Sequence, residues 1–356
     1  MLSTALTELG FTSCKCEQTL FRRGSDEIIT VHVDDLLLTY TNDLGYELMQ
    51  FFEKRNIPLK LNHLTETEPL EHLGMLIELM PDQTLTLSQQ HYIKTYILDE
   101  YKPQREFVTP AVNVEHNEEQ LQAPPCDKSQ YLKKLMRIYY VAAKTRPDLL
   151  TAVSYASTVA HPTENDDKKL DRIIGYLKGT ADLKMHITKT DLDLFAYFDA
   201  SFAIHPDYKS HSGKLIYLGD IPIWFKSTKQ KANTKSSAHA ELNTLYEGLD
   251  VLLWCRAILN FMLPDFNILQ PTIVYQDNLS TMRIAEMGRA ATKSNSRYIN
   301  CRTYWIKDLI ETNIVDVRYK QSDDMIADAL ASIRCGSDFT NFRQKLQVYR
   351  LEQFYQ

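Results

Sequence analysis

Four acidic residues in the C-terminal half of the chain sit where apolar runs begin or end, and this placement constrains the fold more than any other feature. Asp199 lies in Phe195-Ala-Tyr-Phe-Asp-Ala-Ser, Glu241 in Ser236-Ser-Ala-His-Ala-Glu-Leu, Asp277 in Ile273-Val-Tyr-Gln-Asp-Asn and Asp328 in Ile326-Ala-Asp-Ala-Leu. The first and third close strand-like runs, 194–198 and 272–275, while the second and fourth open helix-like runs. All four side chains are therefore expected at one edge of a sheet. Converging carboxylates repel one another unless a divalent cation compensates them. Oxygen donors with no neighbouring Cys favour a hard ion, Mg²⁺ or Mn²⁺, and two such ions about 4 Å apart suit phosphodiester chemistry. Any one of these acids alone reads more readily as a solvated surface charge than as a ligand; the set, in this order, carries the metal-site reading.

The length of 356 residues fits two or three domains, and 44% hydrophobic with 24% charged residues describes a globular chain. No apolar run is long enough to span a bilayer, so a soluble protein without a membrane partner is expected. The first residues, Met-Leu-Ser-Thr-Ala-Leu-Thr-Glu, carry no basic stretch followed by an apolar core, so a secretory signal is not expected. Cys14, Cys16, Cys126, Cys255, Cys301 and Cys335 show no CxxC spacing and read as reduced thiols of an intracellular protein. The net charge is −6, yet from Asp191 onward 19 basic residues balance 19 acidic ones, so the deficit lies upstream. Lys226, Lys229, Lys231 and Lys235 cluster before Glu241, and Arg283, Arg289, Lys293, Arg297 and Arg302 follow Asp277. Such groups can grip phosphates on either side of the acids, or form ordinary solvated faces.

A proline-bearing polar stretch, 102–130, divides the chain and reads as a linker or long loop. Upstream, 27–40 reads as two strands around Asp34-Asp35, followed by an amphipathic helix over 44–54 and short strands as far as Leu87, a small α+β unit. Downstream, 131–144, 147–159 and 163–177 read as three helices. The last segment changes rhythm. Strands are expected at 194–198, 214–218 and 221–225, then a helix with Ala238, Leu242, Leu245, Leu249 and Leu252 on one face, a strand at 272–275, helices at 279–287 and 299–310, a strand at 314–319 and two short helices. Three antiparallel strands followed by helix-linked parallel ones predict an α/β mixed five-stranded sheet flanked by helices, in the order of the ribonuclease H fold.

Specific runs extend this expectation. Tyr197-Phe-Asp-Ala-Ser-Phe-Ala, Lys209-Ser-His-Ser-Gly, Ile223-Trp-Phe-Lys-Ser-Thr-Lys-Gln, Ser236-Ser-Ala-His-Ala-Glu, Gln276-Asp-Asn and Ala327-Asp-Ala-Leu together resemble the ribonuclease H domain of Ty1/copia-type retrotransposon polyproteins. Thr145-Arg-Pro-Asp-Leu-Leu-Thr-Ala-Val-Ser and Tyr176-Leu-Lys-Gly-Thr resemble that family's connection region. Leu73-Gly and Leu87-Ser-Gln-Gln-His-Tyr-Ile resemble its polymerase palm and thumb, and Val31-His-Val-Asp-Asp-Leu-Leu-Leu its YxDD hairpin. The domains expected are a partial reverse-transcriptase palm and thumb over 1–110, a linker and helical connection over 111–190 and a ribonuclease H-like domain over 191–356.

The resemblance implies that Asp199, Glu241, Asp277 and Asp328 hold two Mg²⁺ or Mn²⁺ ions and cut the RNA strand of an RNA–DNA hybrid. Asn278 is either a minor-groove contact or the N-cap of the next helix. A hybrid presents 2′-hydroxyls on one strand only, so shape and sugar rather than base sequence should set specificity. Asp34 and Asp35 imply a polymerase hairpin whose third carboxylate comes from an upstream segment, and their local reading is a tight turn. Primer extension by this chain alone is not expected, and the upstream polyprotein segments are possible partners. The sequence departs from the family at His32, where an aromatic residue is usual, at Tyr298 and Tyr304, where His is common, and at Ala331-Ser332, where Thr-Lys is usual. Within an active element the location would be a cytoplasmic virus-like particle or the nucleus. The competing reading is a catalytically inactive remnant that binds nucleic acid or serves a structural role. An integrase of related fold is disfavoured because its zinc-binding His/Cys module is not found here.

Overall fold

The computed structural model describes residues 2–39, 44–112, 123–288 and 297–350, of which 297–299 by backbone alone. The chain forms two compact units, one of residues 1–79 with 249–270 and the other of 80–248 with 271–356.

The first unit begins with α1 (Leu2–Glu8), β1 (Thr12–Ser13), β2 (Leu20–Arg23), β3 (Glu27–His32), β4 (Asp35–Thr39) and α2 (Leu44–Glu53). The strands form an antiparallel sheet in sequence order. Leu6, Phe11, Phe21, Ile29, Leu44, Leu48 and Phe52 pack into its core. A two-residue turn joins β3 to β4, with His32 opposite Asp35. Val33 holds φ at 55°, a left-handed value that β-branched side chains resist, and is 78% exposed at the hairpin tip. A hairpin of β5 (Leu70–His72) and β6 (Met75–Leu79) completes the unit's strands.

The second unit opens with β7 (Leu85–Ser88) and a helical run in which α3 (Gln90–Tyr92) and α4 (Asp99–Tyr101) flank a π-helical stretch, Ile93–Leu98. Helices α5 (Lys128–Ala142), α6 (Leu150–Ser157) and α7 (Glu164–Thr180) follow. Asp127 caps α5 by accepting from the amides of Ser129 and Gln130, and Thr163 with Asp166 forms a capping box at the start of α7. The helix expected over 147–159 is a 3₁₀ turn at Pro147–Leu149 running into a shorter α6. Proline accounts for its start, having no N–H to give. Arg146 is fully buried there. Its guanidinium forks onto Asp148 at 2.8 and 2.9 Å and donates to the Thr180 carbonyl, while Tyr176 Oη donates to Asp148 at 2.7 Å. Each buried charge is thus paired and hydrogen-bonded, the condition for tolerating it. The polar stretch expected as a linker is partly packed: the Phe107 amide bonds the Gly175 carbonyl, and a Cβ on Gly175 would lie 2.6 Å from the Phe107 ring. Residues 113–122 of that stretch lie outside the described residues.

After β8 (Lys184–Ile187) come β9 (Leu194–Ser201), β10 (His211–Leu218), β11 (Ile221–Lys229), α8 (Ser237–Met262), β12 (Thr272–Gln276), α9 (Leu279–Met287), α10 (Arg297–Glu311), β13 (Val315–Tyr319), α11 (Asp328–Ala331), α12 (Gly336–Lys345) and β14 (Val348–Tyr349). The five-stranded sheet has the order β11-β10-β9-β12-β13. β9 pairs antiparallel with β10 and parallel with β12, and β12 pairs parallel with β13. This is the ribonuclease H-like mixed sheet, with the first strand central. β9, β10 and β11 each run longer than expected from sequence. Asp199 therefore lies inside β9, opposite Gly213, rather than just beyond its end. An acid interrupts the apolar run without interrupting the backbone ladder, so the hydrophobic signal stops before the strand does. β8 and β14, which pair with each other, were not legible as strands because they are only four and two residues long. No helix among the described residues is long and apolar enough to cross a membrane.

Candidate metal centre

Three elements bring three of the four acids together. Asp199 comes from the central strand β9, Glu241 from the second turn of α8 and Asp277 from the residue following β12. One carboxylate oxygen from each lies within 4.8 Å of the others, and no other group of three metal-ligating side chains occurs among the described residues. Asp199 and Glu241 are buried, 6% and 3% exposed, and Asp277 is half-buried.

The register of α8 follows from close packing. A Cβ on Gly248 would stand 2.6 Å from the Phe198 ring, so the helix crosses β9 at a residue without a side chain. Glu241 lies seven residues earlier, two turns along the same face, above the Asp199 end of the strand. Gln230, buried at the end of β11, donates from Nε2 to the Ala240 carbonyl at 2.9 Å and to Ser212 Oγ at 3.0 Å, pinning the start of α8 to β10. Gln276 performs the same service for the other side. Its Oε1 accepts from the amides of Asp277 and Asn278 at 2.8 and 3.0 Å, and its Nε2 reaches Glu241 at 3.5 Å and the Phe198 carbonyl at 3.4 Å. Ser322 Oγ donates to Asp277 at 2.7 Å.

Electrostatically the trio is unsatisfied. Burial pushes the Asp199 carboxyl up to about 6, with the Asp277 charge adding to it, and burial with the charges of Asp199 and Asp277 raises Glu241 well above the ordinary carboxylate range. A cation at the shared position would reverse each of these shifts. Three carboxylates with no sulfur or imidazole among them suit Mg²⁺ or Mn²⁺.

Asp328 is not one of the three. It opens α11, where Arg334 forms an ion pair with it and Ser332 Oγ donates to Oδ1 at 3.0 Å. Arg334 also draws the Asp199 carboxyl downward, against the larger effect of burial. Asn278 is the N-cap of α9: its Oδ1 accepts from Ser280 and Thr281 amides at 3.0 and 3.1 Å, while its amide nitrogen reaches Ser237 Oγ at 3.4 Å. An open cleft of about 340 Å³ beside the acids is lined by Ser237, Glu241, Asp277, Asn278, Leu279, Ser280 and Tyr319.

The lysines differ among themselves. Lys226, Lys231 and Lys235 are exposed, whereas Lys229 is half-buried and bonds Asp207 at 2.9 Å. Arg302 donates to Asn243 and lies over the Tyr246 ring. Arg289 and Lys293 lie outside the described residues, as do the side chains of Arg297 and Tyr298. Asp34 and Asp35 are exposed at the β3–β4 tip. Sequence reasoning missed Gln230, Gln276, Ser322, Arg334 and Tyr319. The first two stand inside the quoted motifs, next to residues already singled out; the other three carry no signal without the fold.

No protein-family model matches the chain. It is 28% identical over 362 residues to the Retrovirus-related Pol polyprotein from transposon RE2 of Arabidopsis thaliana and 27% identical to that from transposon RE1, covering 98% of this chain in both cases. It is 26% identical over 213 residues, 57% of the chain, to the Transposon Ty1-JR1 Gag-Pol polyprotein of Saccharomyces cerevisiae. Its homologues are thus Ty1/copia-type Pol polyproteins. The chain spans 24% of the length of the two Arabidopsis relatives. Among solved structures it is similar to the LC11-RNase H1 isolated from compost, at 16% identity and TM-score 0.30 over 39% of this chain and 92% of the other. It is also similar to the foamy viral protease-reverse transcriptase in complex with RNA/DNA hybrid, at 16% identity and TM-score 0.46 over 83% of this chain and 36% of the other.

Proposed function

We propose that this chain is the nuclease-bearing part of a Ty1/copia-type reverse transcriptase and cleaves the RNA strand of RNA–DNA hybrids with two bound Mg²⁺ or Mn²⁺ ions. The observation that carries this reading is the buried trio Asp199, Glu241 and Asp277, held at the central strand of a ribonuclease H-like sheet with its carboxylates within 4.8 Å of one another. These side chains would hold the ions, and Asp328, the fourth acid of the family pattern, would complete the set by exchanging Arg334 for metal or water. The ions would supply the positive charge that hydrolysis of a phosphodiester needs where negative charge develops.

The chain's own residues supply the rest. Gln276 orients Glu241 and fixes the turn that presents Asp277. Beside the carboxylates of Glu241 and Asp277, the cleft offers neutral hydroxyl, phenol and amide groups from Ser237, Ser280, Tyr319 and Asn278, which suit ribose hydroxyls flanking the phosphate that the ions would meet. Lys226, Lys231 and Lys235 are free to meet the backbone. The hybrid is the partner this arrangement fits.

The first unit is read as a partial polymerase palm, with its tight hairpin presenting Asp34 and Asp35. Among the described residues no third metal-ligating side chain joins them. We therefore assign no polymerase activity to the chain by itself. An inactive remnant is the second reading, favoured by one observation, the engagement of Asp328 by Arg334. A strand-labelled hybrid separates the two: the nuclease cuts the RNA strand when Mg²⁺ or Mn²⁺ is added, whereas the remnant retains the hybrid on a filter and leaves both strands whole.

A further inference from the structure

Helix α11 consists of one turn, Asp328–Ala331, and a helix this short cannot stand on its own propensity. Its carbonyls also lack helical partners beyond the Ser332 amide, which returns to the Asp328 carbonyl at 2.8 Å. Each of the next three carbonyls is taken by a side-chain hydroxyl. Thr151 Oγ1 donates to the Ala329 carbonyl at 2.6 Å, Ser227 Oγ to Leu330 at 2.7 Å and Tyr155 Oη to Ala331 at 2.9 Å. Thr151 and Ser227 are buried and Tyr155 half-buried.

The arrangement continues behind Ser227. Because its hydroxyl proton goes to Leu330, Ser227 Oγ must accept from His211 Nε2 at 2.8 Å, which leaves His211 Nδ1 to accept from His205 Nε2 at 2.9 Å. Tyr155 lies against both imidazoles, with ring centroids 4.5 Å from His211 and 5.0 Å from His205. Beneath α11, Gly213 leaves no space: a Cβ there would lie 2.2 Å from the Ala327 carbonyl and 2.7 Å from the Ala331 nitrogen. Gly213 is the cross-strand partner of Asp199 on one side and of Ser227 on the other. The turn carrying Asp328 is therefore laid directly on the strand beside Asp199 and is held from above by two hydroxyls of α6.

We infer that Thr151 and Tyr155 are positioning residues of the candidate metal centre, holding α11 and with it Asp328 beside Asp199. The helical connection is then part of the nuclease's working unit, across the boundary expected near residue 190. This rests on the function proposed above. A purely structural role would lower stability everywhere, whereas a positioning role loosens α11 first and acts on the chemical step.

The test uses the full chain with Thr151→Val and Tyr155→Phe, singly and together, and Thr151→Ser as the conservative control; each of the first two keeps shape and removes one donor. Amide hydrogen exchange over 326–332 should quicken by about tenfold or more in the double variant, with α8 unchanged and Thr151→Ser close to wild type. On a labelled hybrid, kcat should fall by about 10- to 100-fold with KM unchanged. Unchanged exchange over 326–332, or equal quickening throughout the second unit, would overturn the inference. Should the double variant fail to fold, Tyr155→Phe alone gives the reading, since it deletes one oxygen and keeps the ring packing. If the wild type does not cut, the proposed nuclease function fails, while exchange over α11 still decides whether these hydroxyls hold it.

Discussion

Gln276 bridges Glu241 and Asp277: its amide nitrogen reaches the Glu241 carboxylate at 3.5 Å, and its carbonyl oxygen accepts the Asp277 amide at 2.8 Å. One side chain thus sets the spacing of two acids from different elements. Gln276→Leu should leave the Asp277 and Asn278 amides without an acceptor, at a cost of about 1 to 3 kcal/mol each if they stay dry. Denaturant unfolding should show that loss, and Mn²⁺ titration of the folded variant should show weaker binding. A variant as stable and as avid as wild type would remove Gln276 from the site.

The raised carboxyls predict a dependence of stability on pH. Asp199 and Glu241 have folded-state pKa values above their unfolded ones, so their protonated forms favour the fold at low pH. That contribution is fully present below the unfolded values and is lost as pH rises through about 6, the folded value of Asp199. In EDTA, Tm should therefore fall as pH rises through this value by more in wild type than in Asp199→Asn. Added Mg²⁺ or Mn²⁺ should restore stability increasingly as pH rises. A metal-induced shift in Tm that does not vary with pH would contradict the electrostatic account.

Much of this site was legible in the sequence, and the reasons differ by residue. Asp277 and Glu241 were placed because each adjoins a change of periodicity, from strand to turn or from loop to helix. Asp199 falls at a strand end in the hydrophobic pattern because a polar residue there mimics termination; the ladder to Gly213 shows that a central strand carries a buried acid through. Asp328 could be named but not positioned, since α11 is held by Thr151, Tyr155 and Ser227, residues far away in the chain. Arg334, its ion-pair partner, gave no signal for the same reason. In the first unit the hairpin around Asp34 was legible as a turn from its two flanking apolar runs.

Salt dependence should distinguish the lysines. Replacing Lys226, Lys231 and Lys235 by Gln should flatten the dependence of hybrid binding on log salt, by up to about 0.9 for each phosphate no longer neutralised. Lys229→Gln should change it less, because Asp207 already engages that ammonium. Binding isotherms at several salt concentrations measure both. An unchanged slope in the triple variant would return these residues to the solvated surface.

Asp34 and Asp35 predict a negative result. The chain alone should not incorporate nucleotides on a primed RNA template, since two exposed acids at a hairpin tip, Asp34 in the turn and Asp35 opening β4, do not clamp both the attacking and the incoming groups. Incorporation by the chain unaided and lost in Asp34→Asn would overturn this. Incorporation only after an upstream palm segment is supplied would show a competent hairpin awaiting its partner.

Asp199, Glu241 and Asp277 are proposed to cut RNA paired to DNA. Cleavage of a strand-labelled RNA–DNA hybrid by wild type and Glu241→Gln, each with Mg²⁺ or Mn²⁺ and at matched folded concentration, tests it most directly. Cutting should be confined to the RNA strand in wild type and undetectable in Glu241→Gln, which keeps the shape of the side chain and loses its charge. Equal cutting by both proteins, or none by a folded wild type with either ion, would contradict it.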